Sequence, residues 1–246
     1  MMQPDWSHPL DPQTLAEGQV HIWRAYCVRS PEFLNQTKLW LSADELQRAA
    51  RFRFERDRDR FITGRGFLRQ ILGAYLNRPP ESLQFDYGKY GKPSLVNASG
   101  IQFNLTHSED WALYAIALIP VGIDLEAMRP VPQMESIVQR YFSPQEQKTF
   151  SALPERDQAL AFFRAWTCKE AYLKATGHGL TLPLNQIDVE LTPNKLPKFH
   201  QLPDGQRPSH WPLWSFNISS QLQAAVTVQS KAGKLPALAF GEWSER

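Results

Sequence analysis

Two carboxylates, Asp124 and Glu126, close an apolar run in the stretch GIDLE at residues 122–126. In a strand, residues i and i+2 point to the same side, so these acids would stand together and repel. A cation or a bound proton between them would remove the repulsion. A third acid, Glu170, lies in WTCKEAYLKATGHGL at residues 166–180. Its spacing predicts a helix on which Glu170 and Lys174, four apart, share a face. Alone, that pair reads as a surface ion pair worth about 0.2–0.5 kcal/mol, with Lys169 beside it. With Trp166 alongside, the same face can be half-buried, and Glu170 can join Asp124 and Glu126 in an oxygen-rich cluster. Hard cations such as Mg2+ take such oxygens, keep several waters and accept substrate phosphates as further ligands. The competing reading of Asp124 and Glu126 is a solvated strand end.

Cationic candidates stand elsewhere in the chain. His107, in FNLTHSEDW, falls at the bend after a strand, and as imidazolium it could donate a hydrogen bond to a phosphate. Lys92 sits in a Gly-Lys-Pro turn, where Gly91 frees the backbone and Pro93 stiffens it. A lysine held there can meet a phosphate as a point charge. A surface histidine and a solvent-facing turn lysine are the plainer alternatives. Arg48, Arg51, Arg53, Arg56, Arg58, Arg60, Arg65 and Arg69 crowd residues 47–69 among interleaved acids. Part of this is a salt-bridged helical face, and the preference for Arg over Lys suits phosphate. No Ser-His-Asp or Cys-His set stands out.

The elements that must position these residues are doubled. FNLTHSEDWALYAIAL from Phe103 is matched by FNISSQLQAAVTVQS from Phe216. LQFDYGKYGKP from Leu83 is matched by IDVELTPNKLP from Ile187, and the segment from Asp59 by the one from Leu160. The three pieces recur in the same order, and each half reads helix, strand, turn, strand. Phe61, Leu68, Leu72 and Tyr75 form one helical stripe, ended by Asn-Arg-Pro-Pro from Asn77. Phe163, Trp166 and Leu173 form the other, ended at Gly177. Gly64 and Gly66 cost that first helix about 1 kcal/mol each against Ala, which points to close packing or a ligand. Strands are expected over 111–118 and 121–125, around a turn at Pro120. The predicted class is α+β: two similar halves, 1–119 and 120–246, forming an intramolecular pseudo-dimer with its active site at the junction. Ser220 falls where His107 stands in the other half, which marks the histidine side as the active one.

Bulk properties narrow the function. The chain has 246 residues, a net charge of +2 and 42% hydrophobic residues, so no global basic field points to nucleic acid. An Arg-rich RNA binder is the competing reading, and it would show salt-dependent affinity through the 48–69 segment. Two cysteines make neither a disulfide framework nor a zinc set, which suits a reducing compartment. The first residues lack the apolar core of a signal peptide, and no apolar run approaches the roughly 20 residues that span a bilayer. The expectation is a cytoplasmic protein with no membrane partner.

GKP, FNLTHS, GIDLE and WTCKEAYLKATGHGL together, in this order, resemble the 4'-phosphopantetheinyl transferase superfamily, and the doubling resembles its larger, surfactin-synthetase-activating type. The resemblance implies transfer of the phosphopantetheine arm of coenzyme A to a serine of an apo acyl, aryl or peptidyl carrier protein, with release of adenosine 3',5'-bisphosphate. It implies that Asp124, Glu126 and Glu170 hold Mg2+, with Mn2+ as a substitute, and that Lys174 and His107 contact the phosphates. Glu170 or a metal-bound water would be the base. Gly91, Lys92 and Pro93 would border the nucleotide, and Arg60 and Arg48 would neutralise its 3'-phosphate. Thr106, counted with the coenzyme-binding set, and Cys168 stand where the family's motifs carry other residues. Glu146 matches a family position near the metal. Ile137, Val138, Arg140 and Phe142 offer a surface for the carrier. A module that holds coenzyme A or a carrier without chemistry is the alternative. Two fused halves make a monomer the expectation.

Overall fold

The computed structural model describes residues 2–96, 100–231 and 234–244. In chain order they form β1 (Gln19–Tyr26), α1 (Pro31–Lys38), α2 (Ala43–Ala49), α3 (Glu55–Leu76), β2 (Phe85–Tyr87), β3 (Pro93–Leu95), β4 (Gln102–Ser108), β5 (Trp111–Ala117) and β6 (Val121–Ala127). There follow α4 (Met134–Tyr141), α5 (Pro144–Ser151), α6 (Glu155–Thr176), β7 (Asp188–Val189), β8 (Phe199–Gln201), β9 (Leu213–Ser219), β10 (Leu222–Val228) and β11 (Ala237–Glu242). The class is α+β, as expected. The doubling is visible as a long helix, a short hairpin and a long hairpin in each half: α3, β2–β3, β4–β5, then α6, β7–β8, β9–β10.

The two larger sheets run β11-β1-β5-β4 and β6-β10-β9. After its long hairpin, each half sends its next strand to the other sheet. β6 pairs antiparallel with β10, and β11 pairs parallel with β1. The division at 119/120 falls at the first crossing, and β11 is the piece of 120–246 that lies in the first sheet.

Alternating side chains explain the layering. Leu113, Ala115 and Ala117 of β5 face Val121, Ile123 and Leu125 of β6 and Ala224, Val226 and Val228 of β10 in one shared core. The other face of β5, with Ala112, Tyr114 and Ile116, packs on Phe67, Leu68, Ile71 and Leu72 of α3. Ala225 turns towards Ala171, Tyr172 and Ala175 of α6. The order is helix, sheet, sheet, helix, and each large apolar side chain buried in it contributes about 1.5–3 kcal/mol. Glycine lets two contacts close. A Cβ on Gly122 would lie 2.0 Å from the Ala171 carbonyl oxygen, so β6 lies directly on α6. One on Gly66 would lie 2.1 Å from Thr37 Cγ2, which accounts for a glycine in α3.

Both halves use the same buried ion pair. Ser42 and Glu45 form a capping box on α2, and Ser143 and Glu146 form one on α5. Glu45 pairs with Arg65 at 2.5 Å and Arg69 at 2.7 Å, while Glu146 pairs with Lys169 at 2.7 Å. Three sequence readings are corrected here. Lys169 is fully buried, donating also to the Leu184 and Ile187 carbonyls, because its side of α6 faces the protein. Glu146 accepts from the Ser143 and Val189 N–H groups and is therefore committed to the fold. Arg65 and Arg69 serve Glu45 and are buried, so they are no exposed phosphate-reading surface. Val138 on α4 and Phe142 just after it are core residues, leaving Ile137 part-buried and Arg140 exposed. No helix among the described residues is long and apolar enough to cross a membrane.

Candidate active site

At the junction of the halves lies a cleft of about 620 Å³. Its wall is built first by β4. Asn104, Thr106 and Ser108 alternate along that strand and so share a face. Asn104 Oδ1 accepts from the Ile123 N–H at 2.9 Å, and Ser108 Oγ from the Ala127 N–H at 3.0 Å. Between them, Thr106 Oγ1 lies 3.3 Å from Asp124 Oδ1. β6 therefore has a backbone ladder to β10 on one edge and a side-chain seam to β4 on the other.

The seam fixes the acids. Ile123 and Leu125 enter the shared core, and Asp124 and Glu126 point the other way, into the cleft. Opposite them, Trp166, Glu170, Leu173, Lys174 and Gly177 form the stripe of α6 that lines the same cleft. The Lys174 ammonium meets Asp124 Oδ1 at 2.6 Å and Thr106 Oγ1 at 3.1 Å. Burial, then the neighbouring Asp124 charge, pushes the Glu126 carboxyl up to about 7 and also raises Glu170. The acids share one space, and the nearby counter-charges, Lys174 and, for Glu126, Arg129, do not offset burial and mutual repulsion.

The donor set fits a divalent cation. Asp124 Oδ2 is buried and has no hydrogen-bond partner, which is costly unless something else binds it. As placed, no three described His, Cys, Asp or Glu side chains close into a protein-only metal cage. Hard divalent cations are commonly held by one or two carboxylates together with water and substrate phosphate oxygens.

The cations are distributed differently from expectation. His107 lies within β4, not at a bend after it, because Ser108 still pairs with Trp111. The residue is exposed, yet desolvation by the cleft wall around it, then Lys174, Arg60 and Arg48, hold the imidazole below its usual value. In either protonation state the ring carries at least one N–H donor. Arg60 lines the cleft but is bound by Asp110, which accepts from its Nε at 2.9 Å. Arg48 is exposed, with its guanidinium 5.3 Å from the Phe61 ring centroid. Gly91, at φ 80°, makes the turn that only glycine adopts easily, and Pro93 opens β3. Lys92 lines the cleft, but its ammonium donates to the Ala175 carbonyl at 2.9 Å and Val121 at 3.3 Å. Burial pushes it down to about 8.

Sequence reasoning missed Asn104 and Ser108 as the seam and Asp110 as the partner of Arg60. The period-two Asn-x-Thr-x-Ser was the available signal for the seam. It also missed Phe52, Tyr87 and Tyr90, exposed aromatics on the cleft wall.

Comparison with known proteins agrees with this layout. Residues 120–227 match the family profile described as 4'-phosphopantetheinyl transferase superfamily, and residues 28–118 match 4'-phosphopantetheinyl transferase, N-terminal. The two matches fall on either side of the crossing between β5 and β6. The chain is similar to the 4'-phosphopantetheinyl transferase HetI of Nostoc sp., at 43% identity over 93% of this chain and 95% of that one. It is similar to the 4'-phosphopantetheinyl transferase psf-1 of Bacillus pumilus, at 31% over 81% and 83%. It is also similar to the L-aminoadipate-semialdehyde dehydrogenase-phosphopantetheinyl transferase of Mus musculus, at 26% over 78% and 68%. With a cleft of the right chemistry at the junction of two matched halves, the chain belongs to the 4'-phosphopantetheinyl transferase superfamily, in its larger, two-half form.

Proposed function

We propose that this enzyme transfers the 4'-phosphopantetheine arm of coenzyme A to a serine of an apo acyl, aryl or peptidyl carrier protein in a Mg2+-dependent reaction. Adenosine 3',5'-bisphosphate is the other product. The observation that carries the reading is the Asp124, Glu126 and Glu170 cluster in one cleft with Lys174, including a buried Asp124 oxygen without a partner. Family membership supplies the substrate class.

The serine oxygen bonds to the β-phosphorus of coenzyme A, and the bond from that phosphorus to the bridging oxygen breaks. The bridging oxygen leaves on the nucleotide. Asp124, Glu126 and Glu170 would hold the cation, Mg2+ or Mn2+, which when bound neutralises pyrophosphate charge. Lys174 stands beside the acids and stabilises charge that develops on the phosphoryl oxygens. His107 donates one N–H to a phosphate oxygen. The serine proton goes to Glu170 or to water held at the acid cluster. Gly91, Lys92 and Pro93 wall the nucleotide end. Lys92 acts there mainly by tying the turn to α6 and β6. Arg48 is the free guanidinium of the pair expected at the 3'-phosphate, and Arg60 joins by shifting from Asp110. A cytoplasmic monomer fits, since one chain supplies the whole cleft and both cysteines are free and buried.

The test is intact-mass spectrometry of apo carrier proteins incubated with the enzyme, coenzyme A and Mg2+, with EDTA as control. A gain of one phosphopantetheine mass that EDTA abolishes supports the reading. No gain on any acyl, aryl or peptidyl carrier would leave a protein that binds without transferring.

A further inference from the structure

We propose that Thr106 is a positioning residue that loads Lys174 onto one oxygen of Asp124 and so keeps the other for a divalent cation. The inference rests on the metal-dependent reading above and assigns a residue its own task within it.

The argument is one of donors and acceptors. The Lys174 ammonium can only donate, and it points at both Thr106 Oγ1, at 3.1 Å, and Asp124 Oδ1, at 2.6 Å. The Thr106 hydroxyl must therefore accept from Lys174 and turn its single proton elsewhere. The acceptor within reach is again Asp124 Oδ1, at 3.3 Å. Two donors converge on one carboxylate oxygen, and Oδ2 of the same group is left buried with none. A carboxylate free to rotate would share its donors between both oxygens. Here the hydroxyl closes a three-membered network that fixes which oxygen faces Lys174. The network also spans the molecule: Thr106 belongs to β4 in the first sheet, Asp124 to β6 in the second and Lys174 to α6. Asn104 and Ser108 hold the neighbouring β6 backbone in register, so Thr106 is the seam residue that reaches the chemistry. Thr106 is itself 5% exposed, which suits a residue acting through its neighbours more than one waiting for a ligand.

The test is direct Mn2+ binding to the full chain, read by electron paramagnetic resonance, so that no turnover is needed. The variants are Thr106→Val, which keeps shape and loses the hydroxyl, Thr106→Ala in case the valine strains the site, and Thr106→Ser, which restores the hydroxyl. Losing a residue that orients a metal ligand is expected to weaken Mn2+ binding about tenfold or more. The proposal predicts that loss in Thr106→Val and Thr106→Ala, recovery in Thr106→Ser, and an unchanged circular dichroism spectrum. Parent-like Mn2+ affinity in the folded valine and alanine variants overturns the role of Thr106 and leaves the metal reading standing. Absence of Mn2+ binding by the parent chain, with and without coenzyme A, overturns both.

Discussion

Helices α3 and α6 have the same length, lie over matching sheets and both line the cleft, yet of the two only α6 carries a carboxylate into it. One hundred residues separate equivalent positions. Lys169, paired with Glu146, corresponds to Arg69, paired with Glu45. At the chemical positions the match breaks: Glu170 and Lys174 correspond to Gln70 and Ala74. Gln70 accepts a hydrogen bond from the Trp243 indole at 3.2 Å. Ala74 is packed against the core, and its carbonyl accepts from the Gln13 amide. The strands differ as well. β6 lies directly beside β10, whereas β1 separates β11 from β5. A Cβ on Gly241 of β11 would meet Leu10 Cβ at 2.7 Å and the Trp23 ring at 2.8 Å, so that position is filled by apolar side chains. Asn104 receives the Ile123 N–H, while the matching Asn217 Oδ1 is buried without a partner. Doubling supplies a scaffold with two equivalent places, and a few charged side chains plus one extra strand leave one of them able to act.

Substitutions can break this comparison. Asp124→Ala and Glu170→Ala are expected to lower transfer at least about a hundredfold, the scale of losing a group that stabilises developing charge. Gln70→Ala should leave turnover near the parent's, and steady-state assays on a carrier protein decide it. A large loss from Gln70→Ala would mean that the second position also works.

The ion pairs sharpen the comparison next. Lys169→Ala leaves Glu146 buried without its cation and should cost about 3–5 kcal/mol of stability. Arg69→Ala should cost less, because Arg65 still reaches Glu45 at 2.5 Å. Urea unfolding of the two variants ranks them.

The extra strand carries a pH signature. On β1, burial pushes His21 down to about 4 from 6.5, and the ring bonds Tyr75 at 2.7 Å. Between those values the unfolded chain holds a proton that the folded chain does not, so stability rises with pH there. The contribution is present above pH 6.5 and is lost as pH falls towards 4. His21→Gln should flatten that part of a stability–pH curve. Smallest of all, Arg58→Ala, which breaks surface pairs with the exposed Glu55 and the half-buried Asp59, should leave melting temperature and turnover unchanged.

Much of this was legible in the sequence because it rests on local pattern. The two long helices, the repeated hairpins and the i, i+2 and i, i+4 spacings that bring Asp124, Glu126, Glu170 and Lys174 to one cleft all follow from periods of 2 and 3.6. What stayed hidden depends on distant partners. Glu146 and Lys169 are 23 residues apart, and nothing in either segment says that one buries against the other. Arg65 and Arg69 share α3 with Arg56, Arg58 and Arg60, and which of these arginines is buried depends on which side of the helix it faces. The lowered His107 pKa follows first from burial and then from three cations that the fold gathers from three elements. The crossing of β6 and β11 between sheets is a matter of topology, which similar halves do not reveal.

Isothermal titration of the full chain with coenzyme A in Mg2+ tests the asymmetry most directly. The account predicts one equivalent bound per chain, and weakened binding in the Asp124→Ala, Glu170→Ala double variant. Two equivalents, or one that the double variant binds as tightly as the parent, would contradict it.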